Sequence, residues 1–193
     1  MQGIWILFSY PHFFDKEKGG IVLLLMGFDS STRSTGYSVF NGDKLVKYGC
    51  IDLTEEKDTE VRIARMVKNI TYLLNKYNPD EVSAEQMVVG RNLDTSRKLI
   101  FVLSSIVVWC YQNDKKLTLY IPTQWRKITT VTQYAKERED CKRVAKIIVD
   151  TLFNIDTNDD VAEAILIGLA RVIENGECHI NFWKLKDKKG LEK

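Results

Sequence analysis

Histidine is nearly absent from this chain. Its two copies, His12 and His179, stand at opposite ends, so a histidine-built metal centre is close to excluded. The four cysteines, Cys50, Cys110, Cys141 and Cys178, lie far apart with no CxxC pair. That spacing supports neither a zinc site nor a disulfide framework and fits reduced thiols in a cytoplasm. Excess charge of one sign is missing too: 28 basic against 26 acidic residues leave a net charge of +2. Any affinity for nucleic acid must therefore come from local patches. The apolar opening "GIWILFSYPHFF" is short, has no basic leader and is broken by Pro11, so it is a poor signal peptide and too short to span a membrane. Internal repeats, low-complexity stretches and interdomain linkers are not evident.

What remains is an ordinary globular composition, 45% apolar and 28% charged over 193 residues, which suits one domain with a substantial core. Residues 1–21, ending in the polar break "DKEKGG", are expected to be a dispensable extension. Residues 22–175 form the expected domain, and 176–193, with "KLKDKKGLEK", a flexible basic tail.

Residues 22–28 read as a buried strand, continuous in its hydrophobicity rather than alternating. "TGYSVFNGDKLVKYGCIDL" reads as two more strands around the Asn41-Gly42-Asp43 turn. Ile63, Met66, Val67, Ile70, Leu73, Leu74 and Tyr77 recur at helical spacing and stop at Asn78-Pro79. "EVSAEQ" is a short strand ending at Glu85, 93–112 is a helix apolar on most faces, and "LTLYIP" is a fifth strand; two or three helices follow. Three antiparallel strands followed by alternating helices and strands make a mixed α/β sheet flanked by helices.

Four acids then stand out. Asp29 ends the first strand, Glu85 ends the fourth, and Asp160 and Glu163 sit three apart at the start of a helix in "NDDVAEAILIGLA", on one helix face. Alone, Asp29 would be a turn residue, and Asp160 with Glu163 a helix-capping box. Together they could converge at the carboxyl edge of one sheet, where unpaired like charges repel. Hard divalent cations with oxygen ligands, Mg2+ or Mn2+, resolve such a cluster and support phosphodiester hydrolysis.

"MGFDSSTRSTGYSVF", "VSAEQMVVGRNLDTSRKL" and "NDDVAEAILIGLA", in that order between about residues 22 and 173, resemble the RuvC family of Holliday junction resolvases in the ribonuclease H-like superfamily. The resemblance is closest to compact phage and bacterial versions. It implies a five-stranded sheet flanked by helices and a homodimer across the helix 93–112. It also implies paired nicks in four-way DNA junctions, with Asp29, Glu85, Asp160 and Glu163 as metal ligands. Two departures stand out: Glu163 occupies a position where aspartate is more usual, and Met87, Val88 and Val89 replace an aromatic wedge. "GFDSSTRSTG" also resembles the first phosphate loop of actin-like and sugar-kinase ATPases, but nothing like their glycine-rich second loop is present. A catalytically silent DNA-binding module of the same fold is a further alternative.

Basic residues cluster from Lys115 to Lys146: Lys115, Lys116, Arg126, Lys127, Lys136, Arg138, Lys142, Arg143 and Lys146. Most charge runs are solvated helix faces; in a nuclease, such residues contact backbone phosphates. The expected DNA contacts are Arg91, Arg97, Lys127, Lys142, Arg143 and Lys146, with Lys142 and Lys146 one helical turn apart. Trp125 is expected in a core or capping role.

Overall fold

A computed structural model describes residues 23–87, 93–135, 137, 139–176, 179–186, 188 and 190–191. Five strands, β1 (Leu24–Asp29), β2 (Ser34–Asn41), β3 (Lys44–Asp52), β4 (Glu81–Glu85) and β5 (Lys116–Tyr120), form one sheet in the order β3-β2-β1-β4-β5. The β1–β2 and β2–β3 pairings are antiparallel, whereas β1–β4 and β4–β5 are parallel. This is the expected mixed sheet. The turn after Asn41 places Gly42 at φ 58°, a left-handed conformation that glycine adopts without a Cβ clash. A register shift between Val39 and Phe40 bends β2, a bulge the sequence did not announce.

On one sheet face lie α1 (Thr59–Tyr77) and α2 (Leu93–Gln112). Asp58 caps α1 by accepting from the Val61 amide at 2.9 Å, and Asn78 ends it in a left-handed conformation. Met66, Ile70 and Leu74 of α1 and Val102, Ile106 and Trp109 of α2 pack on Met26, Phe28, Val82 and Ala84. On the other face lie α3 (Pro122–Ile128), α4 (Val131–Tyr134), α5 (Asp140–Phe153) and α6 (Asp159–Glu174). Among the described residues, four α-helices follow β5 where two or three helices were expected, because the segment after β5 breaks into two short pieces at Thr129 and Thr130. Helix α6 is the central one, with Val161, Ile165, Leu166 and Leu169 fully or nearly fully buried.

Side-chain parity in the strands decides what faces α6. Leu25 packs in the α6 layer while Met26 and Phe28 pack in the α1/α2 layer, so Gly27 and Asp29 share the α6 side. The same alternation turns Glu81, Ser83 and Glu85 of β4 toward α6. The sheet presents small residues there, so helix and sheet approach closely. Ser38 Oγ donates to the Ala164 carbonyl at 2.8 Å, Ser83 Oγ to the Ile167 carbonyl at 3.2 Å, and a Cβ on Gly27 would lie 2.6 Å from Gly168 N.

Helix α6 runs back along β4. Its last turn meets the start of that strand, where buried Glu81 accepts from Arg171 Nε at 2.7 Å, from Lys116 Nζ at 3.1 Å and from Asn175 Nδ2 at 3.3 Å. Burial alone would raise the Glu81 pKa, but these donors outweigh it and hold it below the usual glutamate value. The carboxylate therefore contributes stability above its unfolded pKa and loses it as the pH falls through the lower folded value. Glu81→Gln should cost about 2–3 kcal/mol at neutral pH, and the melting-temperature gap from wild type should shrink in scans toward pH 3. A gap that widens on acidification would refute this account.

The end of the chain was expected to trail freely, yet its described residues dock. A 3-10 turn at Phe182–Leu185 packs on α5, and Leu185 and Leu191 are buried. Arg143 Nη1 donates to the Gly190 carbonyl at 2.8 Å, and Lys188 Nζ to Asp150 at 2.7 Å. The two leucines explain the difference, since apolar anchors inside a basic run can be buried while the lysines stay wet. Among the described residues, no helix is long and apolar enough to cross a membrane.

Candidate active site

Asp29 is the last residue of β1 and Glu85 the last of β4, on adjacent parallel strands and on the same sheet face. Helix α6 begins over that carboxyl edge. Asn158 caps it by accepting from the Val161 amide at 2.9 Å, so Asp160 and Glu163 are released from the capping role and point their shared helix side toward the strand ends. Gly36 pairs in register with Asp29, and a Cβ there would overlap the Asp160 carbonyl. The absence of a side chain at Gly36 is what lets the first turn of α6 come down beside β1.

Asp29 is within electrostatic reach of the other three acids. Burial raises the pKa of Asp29 well above the usual aspartate value, and Glu163, Glu85 and Asp160 add to the rise in that order, while Lys142 opposes it. Among the described residues, no three carboxylate, cysteine or histidine groups are drawn into a ready-made cage. Each of the other three acids is held by a neighbour instead. Trp125 Nε1 donates to Glu85 Oε2 at 2.7 Å, Arg126 Nη2 pairs with Glu163 Oε1 at 3.0 Å, and Ser34 Oγ donates to Asp160. Cys50 Sγ stands 3.2 Å behind Ser34 Oγ, and burial raises its thiol pKa, so it is a neutral thiol rather than a reactive thiolate. Mutual repulsion keeps such carboxylates apart until a cation draws them together.

The residues fit a hard divalent cation. The donors are all oxygen, Asp29 is half-buried among like charges, and the neighbouring Ser30 Oγ is buried without a hydrogen-bond partner.

The expected phosphate-binding residues do not form one face. Lys142, Arg143 and Lys146 of α5 line a groove with Glu139, Ile147 and Asp159. Lys142 Nζ is 3.7 Å from Asp159, at the rim of the acid cluster. Lys127 is exposed on α3, next to Arg126. Arg97 is exposed on α2, in the layer across the sheet, and Lys116 pairs with Glu81 at the far end of β4. Arg91, Lys136, Arg138, Val88 and Val89 lie outside the described residues. Sequence reasoning placed Arg126 with the surface cations, but its side chain is only 17% exposed and lies inside the site. Trp125 was expected in a core or capping role and is fully buried, but its indole N–H also reaches a site carboxylate. A signal existed: "PTQWRK" follows the strand that neighbours β4 in parallel, so its first turn must pass over the end carrying Glu85.

Comparison with known proteins gives a consistent answer. Residues 25–171 match the family model described as "Crossover junction endodeoxyribonuclease RuvC". The protein of that name from Dictyoglomus thermophilum is 24% identical over 160 residues, covering 81% of this chain and 100% of the relative. The one from Halothermothrix orenii is 24% identical over 175 residues, covering 88% and 99%. The structure of T. thermophilus RuvC in complex with a Holliday junction substrate superposes with a TM-score of 0.64 at 15% identity, over 82% of this chain and 99% of that one. The match spans every strand and most of α6, and with it all four acids: the chain belongs to the RuvC family of crossover junction endodeoxyribonucleases.

Proposed function

We propose that this RuvC-family nuclease resolves four-way DNA junctions in recombination and repair, using Asp29, Glu85, Asp160 and Glu163 to hold Mg2+, for which Mn2+ substitutes. The observation that carries the reading is the meeting of three separate elements at one sheet edge, with Asp29 raised in pKa by burial and by the other three acids. Bound divalent cations supply an activated water and stabilise the departing oxygen of a phosphodiester. Asp29, at the end of β1 on the side facing α6, would supply a carboxylate oxygen to such a cation. Ser34, Trp125 and Arg126 orient the remaining acids. Lys142, Arg143 and Lys146 bind backbone phosphate along the α5 groove, with Lys127, Arg97 and Arg91 as further contacts; such contacts orient DNA without reading its sequence. The nuclease unit is residues 22–175, and residues 1–21 are dispensable for it.

The test uses a synthetic four-way junction, a linear duplex and a flap, each with Mg2+, Mn2+ or chelator. Paired nicks in the junction alone support the reading. Equal cutting of the flap would make this a broader structure-selective nuclease, and binding without cleavage under every metal would make it a silent junction-binding module.

Helix α2 supplies the dimer. Its inner side is buried through Val102, Ile106 and Trp109, whereas Phe101 is 62% and Tyr111 86% exposed, with Ile100, Val107 and Val108 beside them. This helix has few polar faces, and α1 and the sheet cover only one side of it. The proposed cover is the same helix of a second copy about a two-fold axis, which would hold two sites at a fixed spacing. Phe101→Lys with Val108→Lys should shift the sedimenting species from dimer to monomer. Paired nicking should give way to single, uncoupled nicks, and a wild-type chain that sediments only as monomer at micromolar concentration would exclude the dimer.

A further inference from the structure

Two of the site's acids are glutamates, and one short helix touches both. Trp125 and Arg126 are consecutive in α3, and they contact Glu85 of β4 and Glu163 of α6 respectively. Arg126 reaches Glu163 with its guanidinium 4.9 Å from the Trp125 ring centroid, so the indole also shelves the arginine.

Trp125 is the more informative of the pair. It is fully buried, packed in the core layer that includes Tyr120, Val161 and Ile165. An indole N–H is a donor only, and when buried it requires an acceptor. The acceptor is Glu85 Oε2 at 2.7 Å, well within hydrogen-bond range. The register explains why the two meet. Glu85 pairs with Tyr120 across parallel strands, so the chain leaving β5 turns into α3 directly beside the end of β4. The Thr129 hydroxyl donates to the Trp125 carbonyl at 2.8 Å and closes that helix. A glutamate has one more rotatable bond than an aspartate, so a glutamate ligand at a strand end has more freedom to lose when it binds a cation.

Building on the metal-nuclease reading above, we infer that Trp125 is a positioning residue: its indole N–H fixes the Glu85 carboxylate in the orientation that holds the divalent cation. The core thereby reaches the metal site through one hydrogen bond, and cation affinity depends on a residue that touches neither cation nor DNA. Outer partners of metal ligands commonly set affinity by about 10- to 100-fold.

The experiment is calorimetric titration of the full chain with Mn2+, without DNA, on wild type, Trp125→Phe, Glu85→Gln and the double variant. The expected result is that Trp125→Phe weakens Mn2+ binding by about 10- to 100-fold with a cooperative melting transition retained. In the Glu85→Gln background the same change should add little, because the carboxylate it orients is gone. Tryptophan fluorescence should respond to Mn2+ in wild type and lose that response in Trp125→Phe. If Trp125→Phe does not fold, 3-benzothienylalanine at position 125 keeps the bicyclic shape and replaces N–H by sulfur, and the same loss of affinity is expected. Wild-type and variant affinities within about threefold, or an equal effect in the Glu85→Gln background, would overturn the positioning role and leave the nuclease reading standing. A wild-type chain that binds no Mn2+ and cuts no junction would overturn the nuclease reading itself, and the positioning role with it.

Discussion

Asp29→Asn should abolish junction cleavage while leaving junction binding intact. The exchange keeps the side chain's shape and removes one negative charge. Hard cations bind a neutral amide oxygen far less well than a carboxylate, so both metal occupancy and metal placement suffer. With metal activation of water as the main chemical contribution, the rate should fall by about three orders of magnitude or more. Binding should hold or tighten, because the Lys142, Arg143 and Lys146 groove is untouched and an acid facing the phosphates is gone. The variant should also melt no lower than wild type. Asp29 is half-buried beside Glu163, Glu85 and Asp160, all of which penalise its charge, so neutralising it relieves repulsion in the metal-free protein. Cleavage and binding measured side by side decide the matter. A turn residue would show the reverse pattern, lower stability with cleavage within about tenfold of wild type.

Gly36→Ala should damage both fold and chemistry. Alanine is ordinarily a mild replacement in a strand, but Gly36 lies in register with Asp29, and its added Cβ would overlap the Asp160 carbonyl and lie 2.9 Å from Val161 N. These are backbone atoms in the first turn of a helix that is buried from Val161 to Ala170, so no rotamer change relieves the clash. Either β2 bends away or the start of α6 lifts. Overpacking of this kind costs about 1–3 kcal/mol and sometimes more. The lift moves Asp160 and Glu163 away from Asp29 and Glu85, and misplacement by about 1 Å can reduce a rate by about a hundredfold. Melting and cleavage measured on the same preparation should therefore both fall. Normal cleavage in a destabilised variant would mean that α6 keeps its place and the site tolerates the strain.

The parts legible in the sequence are those whose signal is local. Strand β1 announced itself by an unbroken apolar run because both its faces are covered, by α6 and by α1 with α2. Helix α1 showed a single apolar stripe and a stop at Asn78, and both features are found. Edge strand β3, largely exposed along Lys44–Asp52, was readable mainly through the Asn41-Gly42 turn before it. The four acids could be singled out because each ends a strand or opens a helix. Their neighbours could not. Trp125 lies 40 residues from Glu85, and Arg126 lies 37 from Glu163; nothing in local periodicity connects them. Arg126 read as a surface cation because its sequence neighbours are basic, while its burial is decided by α6. Helix α2 misled in the opposite direction: its composition required cover on all sides, but composition cannot say whether the cover comes from the same chain.

The position of α6 sets an order in time. Asp29 and Glu85 lie in strands made early, whereas Asp160 and Glu163 arrive with the last long helix of the described chain, which packs against β1, β2 and β4. During synthesis the sheet can gather its strands while still one carboxylate pair short. A nascent or prematurely ended product lacking α6 would carry only Asp29 and Glu85 of the four proposed ligands. If the proposed site is the working one, activity in this nuclease begins only when its final long helix docks, and half-made copies are harmless.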